Sequence, residues 1–313
     1  MGDGEKVVTI QSALDLVAYR LWSHSDTPEL DAQVLLANVL RKPRSWLLAH
    51  PETLQNQEIA AALEAQVQRL EHGEPLPYVL GEWEFFNLTF DVTPDVLIPR
   101  PETELLVEHA IAWLRKRNNK MKVLDVGTGC GCIAIALAVN LPEIRVIATD
   151  ISPAALAVAR RNAEKLHVAD RITFLEADLI PDPLLPNPLS PNPFLPNPFS
   201  PNRLLPDSFS LIAANLPYIP TDTLHGLPIF GREPTLALDG GANGLALIRR
   251  LLAKALEALA PSGMILLEIE ASQGSAAVVL AGEFFPQAAV KIHQDLSGID
   301  RLIEIQKPLT TAH

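Results

Sequence analysis

The chain has 313 residues, of which 48% are hydrophobic and 20% are charged, and its formal net charge is −12. The length suffices for one large domain and a small one, and the composition is that of a globular protein. The acidic balance argues against direct binding to a nucleic-acid backbone, which normally requires a basic face.

The cysteines, the histidines and the lengths of the apolar stretches indicate the compartment and exclude some kinds of site. The two cysteines, Cys130 and Cys132, are so close in sequence that a disulfide between them is unfavourable, which indicates a reducing compartment. No cluster of Cys or His has the spacing of metal ligands, so we expect no metal site. The N-terminus lacks a signal pattern, and no apolar stretch reaches the roughly 20 residues of a membrane span. We therefore expect a soluble, cytoplasmic protein.

The first 75 residues show only helical patterns. Leu14 and Leu21 share one helical face, and Thr27 with Pro28 resembles an N-cap followed by a first-turn proline. These features predict a small helical domain over residues 1–75. Docking of a partner or substrate and a purely structural cap are both compatible with such a domain.

Residues 76–100 predict a hairpin linker, because Trp83, Phe85 and Phe90 belong to a partly alternating apolar pattern. From residue 101 onward the chain alternates strands and helices. This order predicts a doubly wound parallel sheet, closed by an antiparallel hairpin because the last two strands leave no room for a helix. The candidate strands are Lys122–Val126, Arg145–Thr149, Arg171–Leu175, Ser210–Ala214, Met264–Ile269, Ala288–His293 and Leu302–Ile305.

A proline-rich segment interrupts this alternation at about residues 181–206. Pro-Asn-Pro recurs there every five residues, beginning at Pro186, Pro191 and Pro196. Such a segment can form neither a helix nor an interior strand. We interpret it as an expanded surface loop, with a lid or a proline-recognition segment as the alternative.

A glycine-rich turn directly follows the first predicted strand. Gly127, Gly129 and Gly131 allow a ligand to approach the backbone closely, as in nucleotide-binding turns. The pattern is not the dinucleotide G-x-G-x-x-G motif, because Cys132 stands at the sixth position, and no phosphate-binding Lys follows. A sulfonium nucleoside with a carboxylate-bearing tail fits this turn better than a dinucleotide or a nucleoside triphosphate.

Acidic residues end the next two strands. Asp150 can bind both ribose hydroxyls, although it could instead serve as a helix N-cap, a role for which Ser152 is at least as suitable. Asp178 can accept a hydrogen bond from an adenine amino group, and Leu179 can pack on the ring. Together with the glycine turn, these acids predict a nucleoside site.

The segment Asn215-Leu216-Pro217-Tyr218 follows the fourth strand, and therefore lies at the same edge of the predicted sheet as the glycine turn. The carboxamide oxygen of Asn215 and the backbone carbonyl of Leu216 can both accept hydrogen bonds from one planar NH₂ group. Pro217 stiffens the loop, and Tyr218 offers a flat face for stacking. The two acceptors favour the pyramidal nitrogen of a transition state, which predicts methyl transfer to nitrogen.

Arg100 and Glu102 precede the sheet. Two interpretations are equally compatible with the sequence: both residues line the pocket, or they form an ion pair at the start of a helix.

The chain resembles the HemK/PrmC-type methyltransferases, which methylate the glutamine of the Gly-Gly-Gln motif in class I peptide chain release factors. One matching segment runs from Val96 to Glu104, and its part from Ile98 to Glu104 is the most specific part of the resemblance, because it separates this family from general adenine methyltransferases. Further matching segments are Glu84 to Phe90, Asp125 to Gly129, Asp150 to Pro153, Asn215 to Ile219, Glu233-Pro234 with Ala237 to Gly241, and Asp295 to Gly298.

The resemblance implies a class I S-adenosylmethionine-dependent methyltransferase domain with a Rossmann-like seven-stranded sheet, preceded by a helical domain that helps to hold the release factor. It implies S-adenosyl-L-methionine as cofactor and S-adenosyl-L-homocysteine as product. The implied substrate-binding residues are Asn215, Leu216, Pro217 and Tyr218, of which Asn215, Pro217 and Tyr218 are the catalytic ones. The implied cofactor-binding residues are Gly127, Thr128, Gly129, Cys130, Gly131, Asp150, Asp178, Leu179 and Asn215.

Three positions depart from the family pattern. Leu216 stands where the family usually has Pro, which preserves the carbonyl acceptor but removes one backbone restraint, so we expect an effect on rate rather than a loss of activity. Leu179 offers less stacking area than the bulkier residues common there, and Glu270 replaces a common Gly.

These features predict a protein-glutamine N5-methyltransferase that supports translation termination. The expected partner is a class I release factor, without direct contact to nucleic acid or membrane, and the expected state is a monomer. An N6-adenine methyltransferase on DNA or RNA is the alternative, since adenine carries a similar conjugated NH₂ group. A cofactor-binding scaffold inactivated through Leu216 is a third interpretation.

Overall fold

The computed structural model describes residues 8–117, 121–181 and 209–309. The chain divides into two compact units, Met1–Trp83 and Glu84–His313. Nearly all of the predicted proline-rich loop, about 181–206, lies outside the described residues. Within the described ranges, no helix combines the length and the apolar character needed to cross a membrane.

The first unit is mainly helical, as predicted. Its elements are β1 (Val8–Thr9), α1 (Ile10–Leu21), α2 (Pro28–Leu40), α3 (Arg44–Ala49), β2 (Leu54–Gln55), α4 (Gln57–Glu71) and α5 (Leu76–Leu80). The apolar faces of α1, α2 and α4 form one core, in which Leu14 and Leu21 are buried. The expectation of helices alone is wrong in one respect, because β1 pairs antiparallel with β2. Two-residue strands carry no periodicity that a sequence could reveal.

Helix starts in this unit follow local chemistry. Pro28 occupies the first turn of α2 as predicted, but the side chain of Thr27 makes no capping hydrogen bond and instead donates to Asp31 Oδ1 over 3.3 Å. The segment predicted as a hairpin linker, 76–100, begins with helix α5. Gly81 ends that helix in the left-handed conformation.

A two-stranded hairpin, β3 (Glu82–Phe85) and β4 (Leu88–Asp91), follows, and α6 (Glu102–Arg115) leads into the sheet. The alternating elements after it are β5 (Lys122–Val126), α7 (Cys132–Asn140), β6 (Arg145–Asp150), α8 (Pro153–Lys165), β7 (Ile172–Glu176), β8 (Phe209–Ala214), α9 (Thr221–Leu224), α10 (Ala246–Ala258), β9 (Leu259–Glu268), α11 (Gly274–Phe284), β10 (Ala289–Gln294) and β11 (Asp300–Gln306).

The seven strands β5 to β11 form one sheet in the order β10-β11-β9-β8-β5-β6-β7. Strands β7, β6, β5, β8 and β9 run parallel, whereas β11 pairs antiparallel with both β9 and β10. The predicted doubly wound sheet with an antiparallel terminal hairpin is therefore confirmed. Every predicted strand is present; six of them agree to within two residues at each end, whereas β9 begins at Leu259, five residues before the predicted start at Met264.

Both faces of the sheet are covered, because β5 is buried on both sides. Val123 belongs to the core packed by α6 and α7, whereas Leu124 and Val126 belong to the core packed by α10 and α11. Burial on both faces explains the near-continuous apolar runs of these strands. Helix α6 is also joined to the terminal hairpin through His109, whose ring lies 4.0 Å from that of His293.

Candidate active site

Strand register places four strand ends side by side. Val126 is level with Thr149 of β6 and with Ala214 of β8, and Ala214 is level with Leu267 of β9. The residues that come next, Gly127, Asp150, Asn215 and Glu268, therefore share one edge of the sheet. The prediction that the glycine turn and the Asn215 loop meet at the carboxyl edge is confirmed.

A cavity of about 460 Å³ lies at this edge. We call it the edge cavity; α6, the turn after β5 and the loop after β8 contribute to its walls. Two predicted site residues, Gly131 and Tyr218, do not line it. The predicted site residues that do line it are Gly127, Thr128, Gly129, Cys130, Asp150, Asp178, Leu179, Asn215, Leu216 and Pro217.

The glycine turn has a left-handed backbone at each of its three glycines. Gly127, Gly129 and Gly131 all have positive φ, of 71°, 56° and 87°. A Cβ atom on Gly129 would meet nothing within 4 Å, so this part of the cavity wall is open to a ligand. Gly131 has a packing role instead, because a Cβ there would fall 2.9 Å from Ile135 Cδ1 and 3.2 Å from Ala159 Cβ.

Asp125, at the end of β5, holds this turn from beneath. It is fully buried, and its Oδ2 accepts from Thr128 Oγ1 over 2.6 Å and from Ala134 N over 3.1 Å. Burial raises the pKa of Asp125 to about 7, although those two hydrogen bonds favour the ionised form. Its Oδ1 has no hydrogen-bond partner in the described part of the chain.

Asp150 faces the edge cavity and is fixed by backbone donors. Its Oδ2 accepts from Gly129 N and its Oδ1 from Ser152 N, each over 2.9 Å. Ser152, rather than Asp150, caps α8, since Ser152 Oγ accepts from Ala155 N. Burial raises the pKa of Asp150 above its usual range. An oriented acid beside an open glycine wall fits a nucleoside with two ribose hydroxyls.

The third predicted acid lies at the rim of the edge cavity. Asp178 is about half exposed and forms a 2.5 Å ion pair with Arg250 of α10. Leu179 is buried and has a φ of 67°, a left-handed conformation that is unfavourable for a residue with a branched side chain. The backbone therefore turns sharply where the ring of a nucleoside base was expected.

Asn215 is held by a chain of hydrogen bonds that reaches two other elements. Its Nδ2 donates to Thr103 Oγ1 of α6 over 2.9 Å, and Thr103 Oγ1 donates to Glu268 Oε2 over 2.6 Å. Thr103 and Glu268 are each 2% exposed. We call Asn215, Thr103 and Glu268 the amide-anchoring chain.

Tyr218, which the sequence places in the site for stacking, does not line the edge cavity and is held by hydrogen bonds at both its ends. Its hydroxyl donates to Glu268 Oε1 over 3.2 Å, and burial together with Glu268 raises the pKa of the Tyr218 phenol. Its carbonyl accepts from Gln273 Nε2 over 2.9 Å. A Cβ on Gly244 would fall 2.1 Å from that carbonyl oxygen, so glycine is required there. These contacts anchor the loop that carries Asn215.

Arg100 and Glu102 were expected either to line the pocket or to form an ion pair with each other. Arg100 forms an ion pair with Glu233, not with Glu102, so the predicted helix-start ion pair is wrong. Arg100 lines the edge cavity, whereas Glu102 does not. Glu233 is 7% exposed and also accepts from Ile98 N over 3.1 Å. The pair thereby joins the segment before α6 to the segment after α9.

Sequence reasoning missed Thr103, Glu233, Glu268 and Gln273. A signal existed for Glu268, because it ends an apolar strand at the same edge as Asp150. Glu270, which replaces the glycine common in the family, accepts from Ser272 N and begins the turn that carries Gln273.

Comparison with known proteins gives consistent matches over both units. A family model described as the PrmC N-terminal domain matches residues 12–81, and one described as a methyltransferase domain matches residues 117–185. The release factor glutamine methyltransferase of Moorella thermoacetica is 40% identical over 296 residues, covering 94% of this chain and 97% of that protein. That of Coxiella burnetii is 35% identical over 297 residues, covering 95% and 98%.

Two solved structures are similar to this chain. The release factor-specific protein-(glutamine-N5) methyltransferase from Alicyclobacillus acidocaldarius is 28% identical, with a TM-score of 0.40, covering 70% of this chain and 99% of that chain. The catalytic domain of hMettl16, solved with a MAT2A 3′UTR hairpin, has a TM-score of 0.50 at 14% identity, covering 84% and 87%. The latter similarity concerns the fold alone.

Proposed function

The chain belongs to the release factor glutamine methyltransferases, and from this premise we propose that it methylates the side-chain amide nitrogen of the Gly-Gly-Gln glutamine in class I peptide chain release factors. The observation that carries the proposal is the position of Asn215, which lines the edge cavity beside the glycine turn. This reaction supports translation termination, which we place in the cytoplasm.

S-Adenosylmethionine is the methyl donor; when bound, it supplies an electrophilic methyl group on a positively charged sulfur and leaves as S-adenosylhomocysteine. We assign its nucleoside part to the open wall at Gly129 and to the carboxylate of Asp150. Asp178 and Leu179 border the region assigned to the base. The buried Asp125 fixes the turn between β5 and α7, so that the wall is formed before a ligand arrives.

The chemical difficulty lies in the acceptor, because the lone pair of an amide nitrogen is delocalised into its carbonyl group. In our proposal, Asn215 Oδ1 and the Leu216 carbonyl each accept a hydrogen bond from one N–H of the glutamine amide. These two bonds favour a pyramidal nitrogen with a localised lone pair. The nitrogen gains one N–C bond and releases one proton to solvent. Since positioning carries much of the rate, a rigid Asn215 loop is required.

We assign docking of the release factor to the helical unit. Leu16 and Tyr19 of α1 and the adjacent Trp22 are 56%, 79% and 72% exposed. Large exposed apolar and aromatic side chains are typical of binding surfaces, and Trp and Tyr frequently dominate binding energy.

Methylation of adenine is not favoured. Adenine carries a conjugated NH₂ that Asn215 and Leu216 could also accept, but the net charge of −12 is unfavourable for approach to a nucleic-acid backbone. We propose that the protein acts as a monomer without direct contact to nucleic acid or membrane.

A transfer assay tests the function. The protein is incubated with S-adenosylmethionine labelled in its methyl group and with either a class I release factor or duplex DNA. We expect label on the release factor and none on the DNA, whereas label on the DNA alone would support the adenine alternative.

A further inference from the structure

We propose that Thr103 and Glu268 are positioning residues that fix which end of the Asn215 carboxamide faces the substrate. This inference rests on the proposed function and adds two residues to it. The amide-anchoring chain spans three elements, since Thr103 lies in the first turn of α6, Asn215 follows β8 and Glu268 ends β9. It connects residues that lie 112 and 165 positions apart in sequence.

The direction of each hydrogen bond follows from the atoms available. The Glu268 carboxylate has no hydrogen to donate, so the single hydroxyl hydrogen of Thr103 points to Glu268 Oε2. Thr103 Oγ1 can then only accept from Asn215, which requires the Nδ2 end of the amide to face Thr103. The Oδ1 end is left for the substrate.

The orientation decides whether the substrate amide is held. Two N–H groups of a glutamine side chain need acceptors, and Asn215 supplies one only if Oδ1 faces them. A carboxamide turned by half a rotation presents Nδ2 instead, and two donors then face each other. A side-chain amide has no intrinsic preference between these two orientations, so its environment must select one.

Glu268 is held in place by a second hydroxyl, since Tyr218 donates to its Oε1. The groups that face it from neighbouring elements are Thr103, Tyr218, Glu102 and Arg301. Burial raises the pKa of Glu268 to about 7, with Glu102 adding to the effect, while both hydroxyls and Arg301 oppose it. Protonated Glu268 can donate a hydrogen bond to Thr103 Oγ1. The Thr103 hydroxyl hydrogen is then free to point to Asn215 Oδ1, so both orientations of the Asn215 carboxamide become possible.

The test compares Thr103→Val, Thr103→Ser and Glu268→Gln with the unaltered enzyme on a whole release factor. Thr103→Val removes the hydroxyl at nearly constant volume, and we expect kcat to fall about 100-fold, because misplacement of a reacting group has an effect of this size. We expect Thr103→Ser to restore kcat to within about fivefold, since its hydroxyl makes the same bonds. Thr173→Val, on β7 and outside the edge cavity, is the matched control.

Two readouts separate positioning from a merely structural role. The Kd for S-adenosylhomocysteine, measured by calorimetry, should stay within about threefold of that of the unaltered enzyme in every variant. The reason is that the amide-anchoring chain orients the acceptor amide and does not contact the nucleoside. In the unaltered enzyme, kcat should rise as pH increases through about 7, where Glu268 ionises. In Glu268→Gln, whose side chain does not titrate, that rise should be absent.

The outcomes are distinguishable. An unaltered enzyme that binds S-adenosylhomocysteine but leaves the release factor unmethylated overturns the proposed function and this inference with it. An active enzyme in which Thr103→Val has an unchanged kcat overturns the positioning role alone. If Thr103→Val does not fold, the inference is tested with Thr103→Ser and Glu268→Gln. A Glu268→Gln variant whose kcat still rises with pH through about 7 contradicts the inference.

Discussion

Leu216 leaves no room for a side chain at Gly127 in the wall of the edge cavity: a Cβ atom on Gly127 would fall only 3.1 Å from Leu216 Cδ2. Leu216 is 4% exposed and packs in the core that also contains Leu179 and Val126. Burial of its side chain therefore restrains the loop at Leu216. The expectation that Leu216 weakens catalysis remains a prediction, and packing argues for a small effect.

The Leu216→Ala variant should be less stable by about 2 to 4 kcal/mol, since it leaves a cavity in a buried core. Its kcat should also fall, because the Leu216 carbonyl loses its support. Urea unfolding and steady-state kinetics measure both effects. Leu216→Met, which nearly conserves volume, should cost less than about 1.5 kcal/mol. Equal stability of Leu216→Ala and the unaltered protein would contradict the packing role.

The Asn215→Ala variant should lose methyl transfer by at least about 100-fold, because it removes an acceptor for the substrate amide. Binding of S-adenosylhomocysteine should weaken by less than about tenfold, since Gly129 and Asp150 are unchanged. Asn140→Ala on α7, outside the edge cavity, is the control and should behave like the unaltered enzyme. Normal turnover by Asn215→Ala would exclude the proposed catalytic role.

The Trp22→Ala variant should raise KM for a whole release factor by about tenfold, a typical effect for an aromatic side chain at the centre of an interface. KM for a short peptide containing Gly-Gly-Gln should not change, because the proposed role of Trp22 is docking. Val279→Ala, another exposed apolar change at a side chain that is 67% exposed, is the control. A parallel increase of KM for the peptide would argue against docking by the helical unit.

Stability should fall as pH rises from about 5 to about 8. Burial raises the pKa values of Asp125 and Glu268 to about 7 each, so between the ordinary carboxyl pKa and 7 the folded protein binds more protons than the unfolded chain. Each group should therefore lower the free energy of unfolding by roughly 1 to 3 kcal/mol over this range, with no further loss above it.

Urea unfolding at several pH values measures this dependence. Glu268→Gln should flatten it in part, because glutamine does not titrate. Glu257→Gln, which changes an exposed acid on α10, should leave the dependence unchanged. The same pH dependence in Glu268→Gln and in the unaltered protein would show that Glu268 is already ionised in the folded protein.

The sheet and its functional edge were predictable, because β5, β6 and β8 are apolar runs directly followed by Gly127, by Asp150 at the strand end, and by Asn215. Parallel strands bring such residues to one edge whatever the rest of the chain does. The amide-anchoring chain was not predictable, since its hydrogen bonds join residues more than 100 positions apart and leave no mark in local spacing. The hydrogen bond of the Tyr218 hydroxyl was not predictable for the same reason: its partner Glu268 lies 50 residues away.

The most direct test of the account is to locate the transferred methyl group by mass spectrometry after reaction of a class I release factor with the enzyme and S-adenosylmethionine. We expect one methyl group on the side-chain amide nitrogen of the Gly-Gly-Gln glutamine, and none when that glutamine is replaced by alanine. A methyl group on any other residue, or a release factor left unmethylated by an enzyme that binds S-adenosylhomocysteine, would contradict it.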